Sequence, residues 1–322
     1  MSIIRESDYK PPRFLKNSHL QSIFHKYFRP NINVKYVRER FELSDSDWVD
    51  LDWINHNHKN VVILLHGLEG SSDSNYIKGM AKIALKHKFD VLAMNFRGCS
   101  GEPNTKFRAY HSGNWEDVDE VVKHCVRKKN YQSVHIIGFS LGGNVALMYA
   151  GTKGASLPPI VKNIVGISVP CDLKSSAYQL AKGINRIYLN RFISSMKEKL
   201  KYKINKFPNE LAKKNLNKLT DFKLFDDYYT APAHGFADAH TYWEACSSMG
   251  VIEKIKIPTY VITALDDQFL TPECFPIEAA RNNKFITLEI PQHGGHVGFV
   301  TFNKENEYWH EKKIINFLNE SL

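Results

Sequence analysis

The chain has 322 residues, 43% hydrophobic and 24% charged, which is enough to bury one large core and excludes a disordered or fibrous protein. Its net charge of +9 is local: residues 174–224 hold thirteen Lys/Arg against three acids, and the rest is near neutral. No apolar run approaches the ~18–20 residues of a membrane-spanning helix. The N-terminal "MSIIRESDYKPPR" lacks the basic-then-apolar pattern of an export signal. Five scattered cysteines (Cys99, Cys125, Cys171, Cys246, Cys274) without CxxC spacing are expected to be reduced thiols of a cytoplasmic protein, neither disulfides nor a zinc site.

In chain order, a leader over residues 1–34 precedes two alternating runs, "VKYVRERFEL" and "WVDLDWI", joined by "SDSD" and read as an antiparallel hairpin. Six continuous β-branched runs follow: "VVILLHG", "FDVLAMNF", "SVHIIGF", "IVGISVP", "PTYVITA" and "FITLEI". Such runs are the pattern of strands buried on both faces of a parallel sheet. Amphipathic segments lie between them. Asn75 precedes "YIKGMAKIALKH", and Asn114 precedes "WEDVDEVVKHCVRKK", which has acids in its first turn and bases in its last. Alternating strands and helices predict an α/β fold with right-handed crossovers and an eight-stranded, mostly parallel sheet.

The segment between "IVGISVP" and "PTYVITA" is too long for one crossover. It carries the helical patterns "SSAYQLAKGINRIYLNRFISSMKEKLKYKINK" and "PNELAKKNLNKL". The expected division is a leader over 1–34, a core over 35–172 and 251–322, and a helical cap over 173–250. The cap holds the positive excess, interleaved with Ile187, Tyr188, Leu189, Phe192, Ile193, Met196 and Leu200. One reading of it is an apolar face on the core and a lysine-rich solvated face. The other is peripheral contact with an anionic membrane, or an acyl chain held beneath it. Nucleic acid is not expected, because no binding motif accompanies the charge.

The chemistry-bearing stretch is "IIGFSLGGN". Strand, then Gly138-Phe139-Ser140-Leu141-Gly142, then helix is G-x-S-x-G in the context that gives it meaning. The tight turn lifts Ser140 Oγ out of the sheet, and Gly138 and Gly142 must be small for strand and helix to approach. "LLHGLEGSS" places a backbone N–H, that of Leu68, opposite the N–H of Leu141, a candidate oxyanion hole. "YVITALDDQFLTP" puts two acids past a late strand, and "LEIPQHGGHVGF" puts His296 in a Gly-rich loop after the last strand. The order Ser, Asp, His is that of this fold's triad.

Together "HGLEGSSDSNY", "NFRGCSGEPN", "YHSGNWEDV", "GFSLGGN", "LFDDYYTAPAHGF", "ALDDQF" and "HGGHVGF" resemble the YheT-like branch of the α/β-hydrolases, whose animal relatives are the ABHD lipid esterases. The N-terminal "FLKNSHLQSIF" resembles that branch's leader, so the likeness spans nearly the whole chain. It implies an α/β-hydrolase core, a helical cap, no cofactor, no metal, and a serine esterase acting on a small or lipid-like acyl ester. Carried over, it makes Ser140 the nucleophile, His296 the base and Asp267 the acid, with Asp266 as the fallback. Some relatives carry His-x4-Asp. Here Glu116 stands at that spacing from His111 and Asp117 one later, which gives acyl transfer no support.

Acyl transfer from the same acyl-enzyme, and a non-catalytic binding protein on this fold, stay open as alternatives. Arg97 is expected to tie its loop through a carboxylate, Cys99 to be inert, and the "HNH" at 56–58 to be a solvated turn. His19 and Gln21 fall near the site without a role.

Overall fold

Strands that must bury both faces carry apolar side chains of both parities. In β4 (Asn60–Leu65), Ile63 and Leu65 join one apolar cluster and Val62 and Leu64 the other, on opposite faces of the sheet. The computed structural model describes residues 3–211 and 215–320. The other strands are β1 (Ile3–Ile4), β2 (Val37–Glu42), β3 (Trp48–Ile54), β5 (Phe89–Asn95), β6 (Ser133–Phe139), β7 (Val161–Ile167), β8 (Thr259–Ile262) and β9 (Ile286–Glu289). They form one sheet in the order β1-β9-β8-β7-β6-β4-β5-β3-β2. The β2–β3 hairpin is antiparallel, β3 runs antiparallel to β5, and all other pairs are parallel.

The sheet thus has nine strands where eight are expected. The extra one is two leader residues, with Ile3 opposite Leu288 and Ile4 opposite Glu289. Two residues are too few to show a period, so only the pairing reveals them.

Helix α1 (Ser18–Tyr27) belongs to the leader, and α2 (Asn75–Lys86), α3 (Trp115–Lys128) and α4 (Leu141–Lys153) cover the sheet. Asn114 occupies the N-cap of α3, as expected. For α2 the cap is Ser74. Asn75 instead donates from Nδ2 to the carbonyls of His25 and Lys26 (3.1 and 3.0 Å), pinning the end of α1. β4 lies between β5 and β6, so the sheet order reverses around it. The carboxyl ends of β4 and β6 open the crevice where α/β sheets place ligands.

The long segment between β7 and β8 contains α5 (Leu173–Leu180), α6 (Arg186–Lys206) and shorter helical elements as far as Ile252–Lys254. The first helical pattern is broken at Gly183, whose φ is +50°, a conformation open to glycine that ends α5 before α6 begins. Over "PNELAKKNLNKL" no long helix forms among the described residues. A turn follows Lys206, Leu216–Lys218 is one 3-10 turn, and residues 212–214 lie outside the described part. Leu189, Ile193, Phe222 and Trp243 form a separate apolar cluster that also takes in Phe269 and Leu270, past the end of β8.

Candidate active site

Ser140 caps α4 with φ +53° and ψ −119°, a backbone conformation that L side chains rarely adopt. Its neighbours explain why the chain can turn there. A Cβ on Gly138 would stand 2.2 Å from Gly142 O, and one on Gly142 would stand 2.4 Å from Leu65 O. Only glycine lets β6, α4 and the end of β4 converge. The Ser140 N–H donates to Ile167 O at 2.8 Å, holding the turn against β7.

His296 follows β9 and reaches back to this turn. Its Nε2 lies 2.9 Å from Ser140 Oγ, and its Nδ1 lies 2.9 and 3.1 Å from the two oxygens of Asp267. Asp267 is buried and also accepts from the Phe269 N–H at 3.0 Å. With Nδ1–H donating to the carboxylate, Nε2 is the nitrogen free to receive the serine proton. A hydroxyl, an imidazole and a carboxylate in this chain can generate an alkoxide-like nucleophile at neutral pH. The neighbouring Asp266 is turned elsewhere: it accepts from His293 Nδ1 at 3.1 Å and from Gly295 N–H at 2.9 Å. Burial raises its carboxyl pKa.

Leu68 and Leu141 both line the cavity beside Ser140 and His296. The loop bearing Leu68 is fixed by His66, which is fully buried. Its Nε2 accepts from Phe96 N–H at 3.1 Å, so Nδ1 carries the hydrogen and donates to Gly67 O at 2.7 Å. Burial pushes the His66 pKa down to about 4, which keeps this neutral tautomer. The Gly67 N–H donates to Tyr76 OH at 3.0 Å.

Two further supports hold the site together. Glu69 has φ +54°, and Tyr110 OH both accepts its N–H (2.9 Å) and donates to its Oε1 (2.8 Å). The Glu69 carboxylate then meets Lys199 Nζ at 2.9 Å and the Ser195 hydroxyl, both on α6, joining the Leu68 loop to the helical insertion. Ser22 of α1 accepts the His296 N–H and a Gln268 Nε2 hydrogen, each at 2.8 Å, so the leader holds the histidine loop. Only an unexplained Glu beside the His-Gly pair could have pointed to the first. Nothing local points to the second.

The remaining expectations find plain places. Arg97, buried, donates to Asp117 through two nitrogens (2.7 Å each) and to Asp45 and Asp47 (2.8 and 3.0 Å). Asp117 is therefore committed to Arg97, and His111 packs instead on His234 with ring centroids 4.2 Å apart. All five cysteines are buried and unpaired, and burial pushes the Cys99 thiol up to about 11. The backbone N–H groups of His56 and His58 share Asp90 Oδ1 in an exposed turn. His19 Nδ1 lies 3.1 Å from Tyr188 OH on α6, and Gln21 is fully buried, joining Tyr9, Leu15 and Val300. Among the described residues, no group of three or more His, Cys, Asp or Glu is arranged for a metal ion, and no helix is long and apolar enough to cross a membrane.

The cavity above Ser140 has a volume of about 920 Å³. The insertion supplies much of its apolar wall: Leu173, Leu180, Phe192, Met196, Phe225 and Trp243.

The family defined by the alpha/beta hydrolase fold matches residues 60–302. The Escherichia coli (strain K12) protein named "Putative esterase YheT" is 33% identical over 323 residues, covering 98% of this chain and 94% of its own length. "Phospholipase ABHD3" of Mus musculus is 25% identical over 302 residues, covering 91% of this chain and 73% of its own length. Among solved structures, the Pyrococcus furiosus esterase Pf2001 aligns with a TM-score of 0.63 at 18% identity, over 90% of this chain and 92% of that one, a likeness of fold. The chain belongs to the α/β-hydrolase family and, within it, to the YheT-like branch.

Proposed function

We propose that the protein is a serine hydrolase that cleaves a carboxylic ester with a lipid-like acyl chain. The observation that carries this reading is the unbroken chain of hydrogen bonds from buried Asp267 through His296 to Ser140 on a backbone held at positive φ. His296 Nε2 takes the Ser140 proton as Oγ attacks the ester carbonyl, and Asp267 stabilises the imidazolium that forms. The N–H groups of Leu68 and Leu141 receive the oxyanion, each worth about 3 kcal/mol in comparable sites. His296 then gives its proton to the leaving alkoxide. Water, deprotonated by the same nitrogen, releases the acid and restores Ser140. This chemistry uses no cofactor.

The apolar cavity of about 920 Å³ fits a medium or long acyl chain, and the relative named as a phospholipase supports a lipid-like substrate. A fluorophosphonate probe is expected to label the wild type and leave Ser140→Ala unlabelled. p-Nitrophenyl esters of increasing chain length should show turnover that rises beyond acetate. Equal labelling of both proteins would sink the assignment of Ser140.

A further inference from the structure

We propose that the rim of the cavity, built by the leader and the start of α6, docks on an anionic lipid surface. Among the described residues, eight large hydrophobic side chains are more than half exposed. Six of them belong to the leader, to the start of α6, or to the loop residue stacked on the leader: Phe14 66%, Tyr27 64%, Phe28 64%, Ile184 59%, Ile187 67% and Phe302 58%. Soluble proteins scatter such residues singly, and their concentration marks a partner surface.

The leader part of the cluster is continuous. Phe14 stacks on Phe302 (centroids 5.8 Å), Phe24 meets both Phe302 (5.6 Å) and Phe28 (5.4 Å), and all lie on or against α1. The leader and α6 join where His19 stacks on Tyr188 at 5.8 Å. The cluster adjoins the site, because Tyr27 and Ile187 line the active-site cavity together with Ile23, Lys26 and Arg191.

Charge selects the partner. Lys16 and Lys26 lie in the same leader segment as Phe14, Tyr27 and Phe28, Lys182, Arg186 and Arg191 flank Ile184 and Ile187 along the chain, and none of the five is in an ion pair among the described residues. Arg186 opens α6, whose first turn has no acid and whose N-cap Asn185 makes no side-chain cap. A cation there opposes the helix dipole, a local cost without a local gain. Some other cations of the insertion are engaged internally. Lys199 is held by Glu69, and Lys203 donates to Asn104 O and Oδ1 at 3.1 and 2.6 Å. Positive charge without an ion-pair partner therefore stands at the mouth, interleaved with aromatic and branched aliphatic groups, the composition of a surface that sits at the headgroup boundary of an anionic bilayer. A second copy of this chain would bring the same cations against one another, which disfavours self-association through this face.

The inference deepens the acyl-ester reading and rests on it for the nature of the molecule that passes from the bilayer into the cavity. The test is co-sedimentation of the full chain with vesicles of phosphatidylcholine alone and of an equimolar mixture with phosphatidylglycerol. The wild type and Ser140→Ala should pellet equally with the anionic vesicles, and high salt should weaken binding. Arg186→Glu should lose about fivefold or more in binding, and the combination Leu20→Glu, Phe28→Glu and Ile184→Glu more than about tenfold. Arg127→Glu on α3 should bind as the wild type. These exposed rim positions do not line the cavity, so hydrolysis of a short soluble ester should stay at the wild-type rate in the triple variant. Wild type left in the supernatant with anionic vesicles would overturn the proposal. So would a triple variant that pellets like the wild type, or a wild-type dimer that the triple variant abolishes while neither binds vesicles. Vesicle binding in a protein that hydrolyses no soluble ester would leave the docking standing and remove the esterase reading alone.

Discussion

Two adjacent carboxylates at the end of β8 are one peptide unit apart and do different things. Asp267 is buried, receives the imidazole on both oxygens and is steadied by the Phe269 N–H. Asp266 receives His293 and the Gly295 N–H, and so braces the loop that carries His296. Asp267→Asn keeps the shape but removes the acceptor that selects the tautomer. We expect kcat to fall by about ten-thousandfold with little change in KM. Asp266→Asn keeps its hydrogen-bonding shape and should cost less than about tenfold; steady-state hydrolysis of one soluble ester measures both. "ALDDQ" shows that an acid stands here. Successive residues in a turn point in different directions, so which acid faces the histidine depends on the path of the turn. Ser140 is different: its place on the tight turn is legible because the steric need for glycine on either side leaves a mark in the sequence itself.

At the scale of elements, the elbow is a three-way junction of backbone. A methyl on Gly142 would lie 2.4 Å from Leu65 O and 2.5 Å from His66 O, atoms that cannot move without unpairing β4. Gly142→Ala should therefore destabilise by about 3 kcal/mol or more, read as a fall in the urea midpoint or loss of soluble protein. At Gly250 a Cβ would meet nothing within 4 Å and φ is not positive, so alanine there should be accepted within about 0.5 kcal/mol. The parallel strands were legible because burial on both faces demands continuous apolar runs, as in β4, β5 and β6. The joints between elements were not. Glu69 with Lys199, and Ser22 with His296, are ordinary polar residues whose meaning comes from partners far along the chain. The break between α5 and α6 lay in one glycine inside a helical pattern, and a lone glycine there is as often tolerated as obeyed.

For the whole molecule, acid is the sensitive direction. Burial lowers the pKa of His25 to about 3 and of His66, His135 and His234 to about 4, and takes His111 and His310 well below the ordinary value. These rings stay neutral in the fold and become charged once unfolded near pH 6.5, so the unfolded state gains protons between about pH 6.5 and 4. Stability is whole above that window and falls as pH drops through it, by about 1.4 kcal/mol per pH unit for each ring fully within it. Asp226, Asp266 and Glu116 act oppositely, since burial raises their carboxyls, Asp226 to about 7, but they are three groups against six. The thermal midpoint should fall steeply from pH 7 to pH 5, and an unchanged midpoint would contradict the neutral, buried histidines. The leader bears on the molecule as a whole in another way. Ile3 and Ile4 pair with β9, Ser22 holds His296, and Arg29 is buried against Glu311 at 2.6 Å. A ribosome makes these leader residues long before their partners. The growing chain therefore carries its first segment unpaired until the last strand emerges, and the histidine loop gains its support only when the two distant stretches close on each other.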